Sequence, residues 1–152
     1  EDALAAQVAL TAFIPMLMGT GGNSGSQSSV TVIRALSLDE LKFADLPRVI
    51  WKEIRTAVLC GIALAAVCLG KIWLVDRMLM GNTANTWQVD LVVCLTLAVT
   101  VVAAKLVGCT LPLAAKALKL DPAVMASPFI TTIVDTVTLM IYFTIASALL
   151  GI

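Results

Sequence analysis

The 152-residue chain is 60% hydrophobic and only 13% charged, and its mean hydropathy is +1.00. Soluble domains are about one quarter charged, so this composition excludes an ordinary soluble domain and indicates an integral membrane protein in a lipid bilayer. Ten basic and ten acidic residues cancel, and this balance gives no indication of a nucleic-acid partner. The chain has no histidine, which excludes imidazole-dependent triads and zinc sites.

The first predicted element is a helix interrupted by glycine. Apolar residues from Ala3 to Met18 are followed by GTGGNSGSQSS and then by VTVIRAL. A break at membrane depth is tolerated only where the backbone is buried in protein or lines a cavity, and such breaks often frame an ion site. Two alternatives stay open. One is a continuous helix in which Gly21 and Gly25, or Gly22 and Ser26, allow close helix contact; the other is a flexible loop.

Three further spans are predicted, which makes an all-α bundle of four transmembrane spans in one domain, residues 1–152. A charged interfacial segment, Ser37 to Arg55, precedes the second span, and Pro47 marks a helix start. The second and third spans are Thr56 to Val75 and Leu91 to Leu113. The last runs from Ala123 to Ile152, with Asp121 and Pro122 as its N-cap and first helical residue.

Loop charges give the orientation of the bundle. Basic residues are concentrated in the loops 34–55 and 116–121, so the positive-inside rule places both loops in the cytoplasm and both termini outside. We therefore expect a multi-pass protein of the cell inner (plasma) membrane. Lys105 lies well inside the third span; it either pairs with an acid or extends to the interface, and the basic loop nearby favours the second.

Asp135 is the only charged residue between Ala123 and Ile152. It lies twelve residues past Ala123, about 18 Å along a helix and near the middle of a bilayer core about 30 Å thick. An Asp at that depth costs about 2.5–3.5 kcal/mol, so function is the default interpretation. The alternative is a buried Asp that is neutral or satisfied by a hydroxyl. The residues that share its helical face carry oxygen: Thr131, Thr132, Thr138 and Tyr142.

A carboxylate among hydroxyls and amides suits a hard cation such as Mg²⁺ or Ca²⁺. Mg²⁺ keeps several waters and is often held by one or two carboxylates. One Asp in each chain would become two in a symmetric dimer, and acidic rings of this kind select cations in pores. Because the two carboxylates would repel each other without the ion, we expect binding to weaken in acid.

Two long motifs resemble the transmembrane domain of the MgtE magnesium channels. They are PMLMGTGGNSGSQSS with the following VIRAL, and DPAVMASPFITTIVDTVTLMIYF. The resemblance implies a homodimer of five-helix domains whose glycine-rich second helix and fifth helix form the pore. The four spans of this chain then correspond to the family domain without its first helix. The family's cytoplasmic regulatory domains, which sense Mg²⁺, are outside this sequence.

The resemblance also implies roles for individual residues. Asp135 matches the pore aspartate that recognises hydrated Mg²⁺, with the Thr131 backbone carbonyl beside it. Asp121 matches an acidic position at the cytoplasmic end that takes part in metal binding and gating, although a helix cap explains it equally well. The predicted pore-lining residues are Gly21, Gly22, Asn23, Gln27, Thr132 and Thr138.

These observations predict a magnesium-selective channel domain with a homodimeric pore, for which Mn²⁺, Co²⁺ and Ca²⁺ are alternative ions. A cation-coupled secondary transporter is one rival, because broken helices also occur in such proteins. A non-transporting membrane scaffold held by small-residue contacts is another. An enzyme is not expected, since an intramembrane aspartyl protease would couple two carboxylates.

Overall fold

The computed structural model describes residues 2–81, 86–125 and 128–151, and of residues 2–7 and Met125 it describes the backbone alone. Four long helices form the structure: α1 (Asp2–Ser37), α2 (Leu46–Lys71), α3 (Trp87–Ala117) and α4 (Pro128–Leu150). A π-helix, Ile72–Leu79, continues α2, and short 3₁₀ turns occupy Phe43–Asp45 and Pro122–Met125. The described residues contain no strand, so the predicted all-α fold is confirmed.

Helix α3 lies at the centre of the bundle and packs against the other three helices. Small and β-branched side chains fill its contact faces, among them Val92, Val93, Thr96, Val101 and Ala104, which are all at most 1% exposed. Such side chains let helices approach closely without large gaps.

Three helical segments of the described chain are long and apolar enough to cross a membrane: Phe43–Leu79, Trp87–Ala117 and Pro128–Leu150. This agrees with the prediction of a membrane protein. Helix α1 has 36 residues, but its middle is rich in glycine, serine and amides, which lowers its hydropathy.

The prediction of a break in the first helix is wrong, because α1 is continuous from Asp2 to Ser37. The alternative interpretation, a continuous helix whose glycines allow close contact with other helices, is confirmed. A Cβ added at Gly25 would lie 3.1 Å from the Ala104 carbonyl oxygen and 3.0 Å from Val134 Cγ2. A Cβ added at Gly108 would overlap the Gly25 carbonyl. The backbones of α1 and α3 therefore touch directly, and tertiary packing outweighs the weak helix propensity of glycine.

The predicted boundaries of the second and last spans also need correction. The segment before Thr56 is not separate from the second span, since α2 begins at Leu46 with Pro47 in its first turn, as expected for proline. Asp121 does not cap the last helix: its carboxylate accepts the Ala123 N–H at 2.9 Å and so caps the 3₁₀ turn. Helix α4 begins at Pro128. Asp135 is therefore about 10 Å from the start of its helix rather than 18 Å.

The connection between α1 and α2 lies at the same end of the bundle as the end of α3. The Lys116 ammonium donates to the Leu36 carbonyl at 3.1 Å and pairs with Asp39 at 3.6 Å. At the opposite end, where α2 is followed by the π-helix, Arg77 pairs with Asp90 of α3. One ion pair therefore joins α3 to the connection after α1 at one end of the bundle, and another joins α3 to the π-helix at the opposite end.

Candidate ion-binding site at Asp135

Asp135 lies where α4 passes Gly22 of α1. The carboxylate is half-buried, and its Oδ1 would be 3.8 Å from a Cβ added at Gly22. The same added Cβ would be 3.3 Å from Thr131 Cγ2. Because Gly22 has no side chain, α4 approaches α1 closely at this point, and we call Gly22, Thr131 and Asp135 the α1–α4 junction.

The carboxylate of Asp135 has no partner among the residues that the structure describes. Within the described part of the chain, neither a hydrogen bond nor an ion pair reaches it. The other acids buried on the apolar helical segments all face a cation: Glu53 is 3.2 Å from Lys105, Asp76 is 2.8 Å from Lys71, and Asp90 pairs with Arg77. A carboxylate away from bulk water needs a compensating partner. Since no described side chain supplies one, water or a cation can fill this role at Asp135.

The sequence favoured a Lys105 side chain that extends to the membrane interface, and this prediction is wrong. Lys105 pairs instead with Glu53 of α2. Its side chain is 15% exposed and that of Glu53 is 10% exposed. The ion pair forms because both side chains are buried, and an unpaired ammonium inside the bundle would be unfavourable. Lys105 therefore forms its ion pair with Glu53 and not with Asp135.

The hydroxyl stripe beside Asp135 divides into two parts. Thr131 and Thr132 donate to the Pro128 carbonyl at 3.0 and 2.9 Å, so their oxygens keep lone pairs for water or an ion. Thr138 is buried and donates to the Val134 carbonyl at 2.7 Å, and buried Tyr142 donates to the Leu10 carbonyl at 2.8 Å. The first pair is near the carboxylate, and the second pair stabilises the helix contact.

The predicted pore-lining residues of α1 lie on different sides of that helix. Gly21 is inside the packing, since an added Cβ would be 2.8 Å from Thr138 Oγ1. Asn23 and Gln27 are exposed and lie about 100° and 140° around the axis from Gly22. The pore-lining role of this set stays a prediction.

Asn23 and Gln27 line a polar groove of about 300 Å³ between α1 and α2, which we call the α1–α2 groove. Its other lining residues are Thr20, Ser24, Cys60, Leu64 and Lys105. The groove and Asp135 are therefore on separate sides of α1.

Asp121 lies outside α4, exposed in the connection that follows α3. Among the described contacts, its carboxylate meets the Ala123 N–H and none joins it to Asp135. Its proposed role in metal binding also stays a prediction. No group of three or more acidic or cysteine side chains in the described ranges could hold a metal, so one chain offers a single carboxylate rather than a closed cage.

Sequence reasoning missed Glu53 and Ser28. The Ser28 hydroxyl of α1 donates to Glu53 Oε2 at 2.6 Å, and the same oxygen accepts from Lys105 at 3.2 Å. The available signal was that Glu53 is the one acid among the basic residues at the start of α2, residues 46–55. Lys105, in the middle of α3, is a possible partner for it. A separation of 52 residues between Glu53 and Lys105 hides that pairing from local patterns.

Comparison with known proteins identifies the family of this chain. A family model described as a divalent cation transporter, MgtE, matches residues 14–145. The chain belongs to the MgtE family. The match covers both Gly22 and Asp135, so the junction of α1 and α4 is part of the MgtE domain.

Three curated relatives carry the name magnesium transporter MgtE. The Bacillus subtilis protein is 39% identical over 97% of this chain, the Thermus thermophilus protein 36% over 99%, and the Enterococcus faecalis protein 30% over 91%. These alignments cover 31%, 31% and 29% of the respective relatives. The chain thus spans about a third of the length of the MgtE proteins it matches.

Proposed function

We propose that this chain is the ion-conducting domain of a dimeric magnesium channel and that Asp135 receives the ion. The observation that carries the proposal is the unpaired, half-buried carboxylate at the α1–α4 junction, in a bundle whose other buried acids are paired. The MgtE family match and the names of the relatives support Mg²⁺ as the transported ion.

The chemistry of the junction suits an ion that keeps its water. Mg²⁺ loses its hydration shell reluctantly and is commonly held by few carboxylates with waters retained. The carboxylate of Asp135 accepts hydrogen bonds from such waters, and the hydroxyl oxygens of Thr131 and Thr132 add acceptors nearby. A two-fold dimer would place two carboxylates on one hydrated ion.

The membrane potential is sufficient to drive the ion inwards. A potential of 100 mV contributes about 4.6 kcal/mol to inward movement of a double charge, from about 2.3 per elementary charge. The rival of a coupled carrier depended on a broken helix, and α1 is continuous. Unitary current steps from the full-length protein in a planar bilayer would support the channel; transport without such steps, dependent on Na⁺ or H⁺, would favour the carrier.

The test of Asp135 is Mg²⁺ flux into liposomes containing the full-length protein. We expect Asp135→Asn and Asp135→Ala to lower the flux at least about tenfold, because removing a charge partner is worth more than about 1.4 kcal/mol. Asp135→Glu should keep part of the flux.

The matched control is Glu40→Gln, which neutralises an exposed acid in the connection between α1 and α2 and should leave flux unchanged. Full flux in Asp135→Asn would instead support the membrane scaffold, in which the carboxylate has no part in transport.

A further inference from the structure

Glu53, Lys105 and Ser28 form a buried polar contact that joins three helices. One oxygen of the Glu53 carboxylate accepts from the Ser28 hydroxyl of α1 at 2.6 Å and from the Lys105 ammonium of α3 at 3.2 Å. Ser28 is 2% and Glu53 8% exposed. The contact places both a full positive and a full negative charge inside the bundle.

This ion pair is at nearly the same height in the bundle as Asp135. The Ala104 carbonyl oxygen and Val134 Cγ2 meet at Gly25, at 3.1 and 3.0 Å from the position of an added Cβ. Lys105 follows Ala104 and Asp135 follows Val134 in the sequence. Since packed helices have axes about 8–10 Å apart, and Lys105 lies at the α1–α2 groove on the side of α1 away from Asp135, the two charges are separated by about 10 Å or more.

The ammonium of the pair faces the α1–α2 groove, whereas its carboxylate does not. Lys105 is a lining residue of that groove and Glu53 is not. The other lining side chains are neutral amides, hydroxyls, a thiol and a leucine. Among the residues that the structure describes, Glu53 is therefore the acid in contact with Lys105 and neutralises its charge.

We propose that Glu53 is a specificity-determining residue for divalent cations: it neutralises Lys105, so that a doubly charged ion at Asp135 is not repelled by a nearby ammonium. This inference rests on the proposed function. An uncompensated charge at a separation of about 10 Å, with an effective dielectric constant of about 20, would weaken the binding of a singly charged ion by up to about tenfold. For a doubly charged ion the interaction energy doubles, so the factor is squared and reaches up to about a hundredfold. Loss of Glu53 should thus reduce Mg²⁺ passage more than Na⁺ passage.

The test uses the full-length protein in liposomes at pH 8, with Mg²⁺ alone or Na⁺ alone as the permeating ion. We expect Glu53→Gln to raise the half-saturating Mg²⁺ concentration at least about tenfold, with a smaller change for Na⁺. The double variant Glu53→Gln with Lys105→Gln removes both charges and should return Mg²⁺ half-saturation to within about threefold of the parent. A double variant as impaired as Glu53→Gln, or a Glu53→Gln variant that behaves like the parent, would overturn the proposal.

Thermal unfolding in detergent separates a charge effect from a folding defect. If Glu53→Gln does not fold, Lys105→Gln decides, because it leaves the carboxylate of Glu53 in place and should tighten Mg²⁺ half-saturation several-fold. Unchanged or weaker half-saturation in Lys105→Gln would overturn the inference. Asp135→Asn in the same assay reports on the proposed function alone: unchanged flux there would overturn both proposals, whereas lost flux there without rescue in the double variant would overturn only that of Glu53.

Discussion

Gly22 determines how much space lies beside the carboxylate of Asp135. Its missing side chain lets Thr131 and Asp135 of α4 lie close to the backbone of α1. A methyl group there would be 3.3 Å from Thr131 Cγ2, which is closer than an unstrained contact between carbon atoms. The space at this junction therefore depends on one residue that makes no polar contact through a side chain.

Gly22→Ala should lower Mg²⁺ flux several-fold while changing stability little. The new methyl group pushes α4 away by a few tenths of an ångström, and the resulting strain offsets the usual gain of about 0.5–1 kcal/mol for Ala over Gly in a helix. The matched control is Gly19→Ala, where nothing lies within 4 Å of the added Cβ, so stability should rise and flux should not change. Equal Mg²⁺ flux in the two variants, measured in liposomes, would contradict a role for the close approach of α1 and α4 at Gly22.

The sequence predicted Asp135 as the central residue but not the contacts around it. A lone acid in a long apolar run can be recognised from composition. That Lys105 pairs with Glu53 could not be recognised, because the two residues belong to different helices and the pairing depends on how α2 and α3 are aligned. The roles of Asp121 and of the pore-lining set remain predictions for the same reason: each depends on neighbours beyond its own helix.

At the scale of elements, the contact between α1 and α3 organises the bundle. Gly25 and Gly108 bring the two backbones together, and α4 packs on the resulting surface through Ile130 and Val134. The glycine-rich stretch of α1 is therefore an interface and not a break. Local propensity alone could not decide between the two, because glycine weakens an isolated helix but favours a closely packed one.

Gly108→Ala should destabilise the bundle by about 1–3 kcal/mol, the usual effect of overpacking. Its new methyl group would overlap a backbone carbonyl, which cannot rotate away as a side chain can. Thermal unfolding in detergent measures the effect.

Gly70→Ala is the matched control for Gly108→Ala, since nothing lies within 4 Å of a Cβ added in that part of α2. It should be neutral or slightly stabilising. If both variants unfold at the same temperature, the direct contact between α1 and α3 does not limit stability.

For the whole molecule, the ion pairs and charged loops distinguish the two ends of the bundle. Lys116 joins the end of α3 to the connection after α1, so these two parts of the chain lie at one end of the bundle. That the loops 34–55 and 116–121 are cytoplasmic stays a prediction. The π-helix and its salt bridges lie at the other end. The fold class and the long apolar helices could be predicted from hydropathy, whereas helix starts such as Pro128 depended on local turns.

The orientation can be tested with single cysteines in a background without native cysteine. An impermeant maleimide should label Lys42→Cys and Lys119→Cys from the cytoplasmic side only, because both positions are exposed at the basic end. Met80→Cys, which replaces a residue that is 73% exposed near the end of the π-helix, should react only from outside. The reverse pattern would place the basic loops outside and contradict the proposed direction of ion entry.

The touching backbones at Gly25 and Gly108 have a mechanical consequence. Since no deformable side chain lies between them, we expect α1 and α3 to move together. We therefore expect any motion that opens or closes a route beside Asp135 to be a motion of α4, which contacts α1 at Gly22. Asp135 would then move with α4, while Gly22 would stay in place with α1.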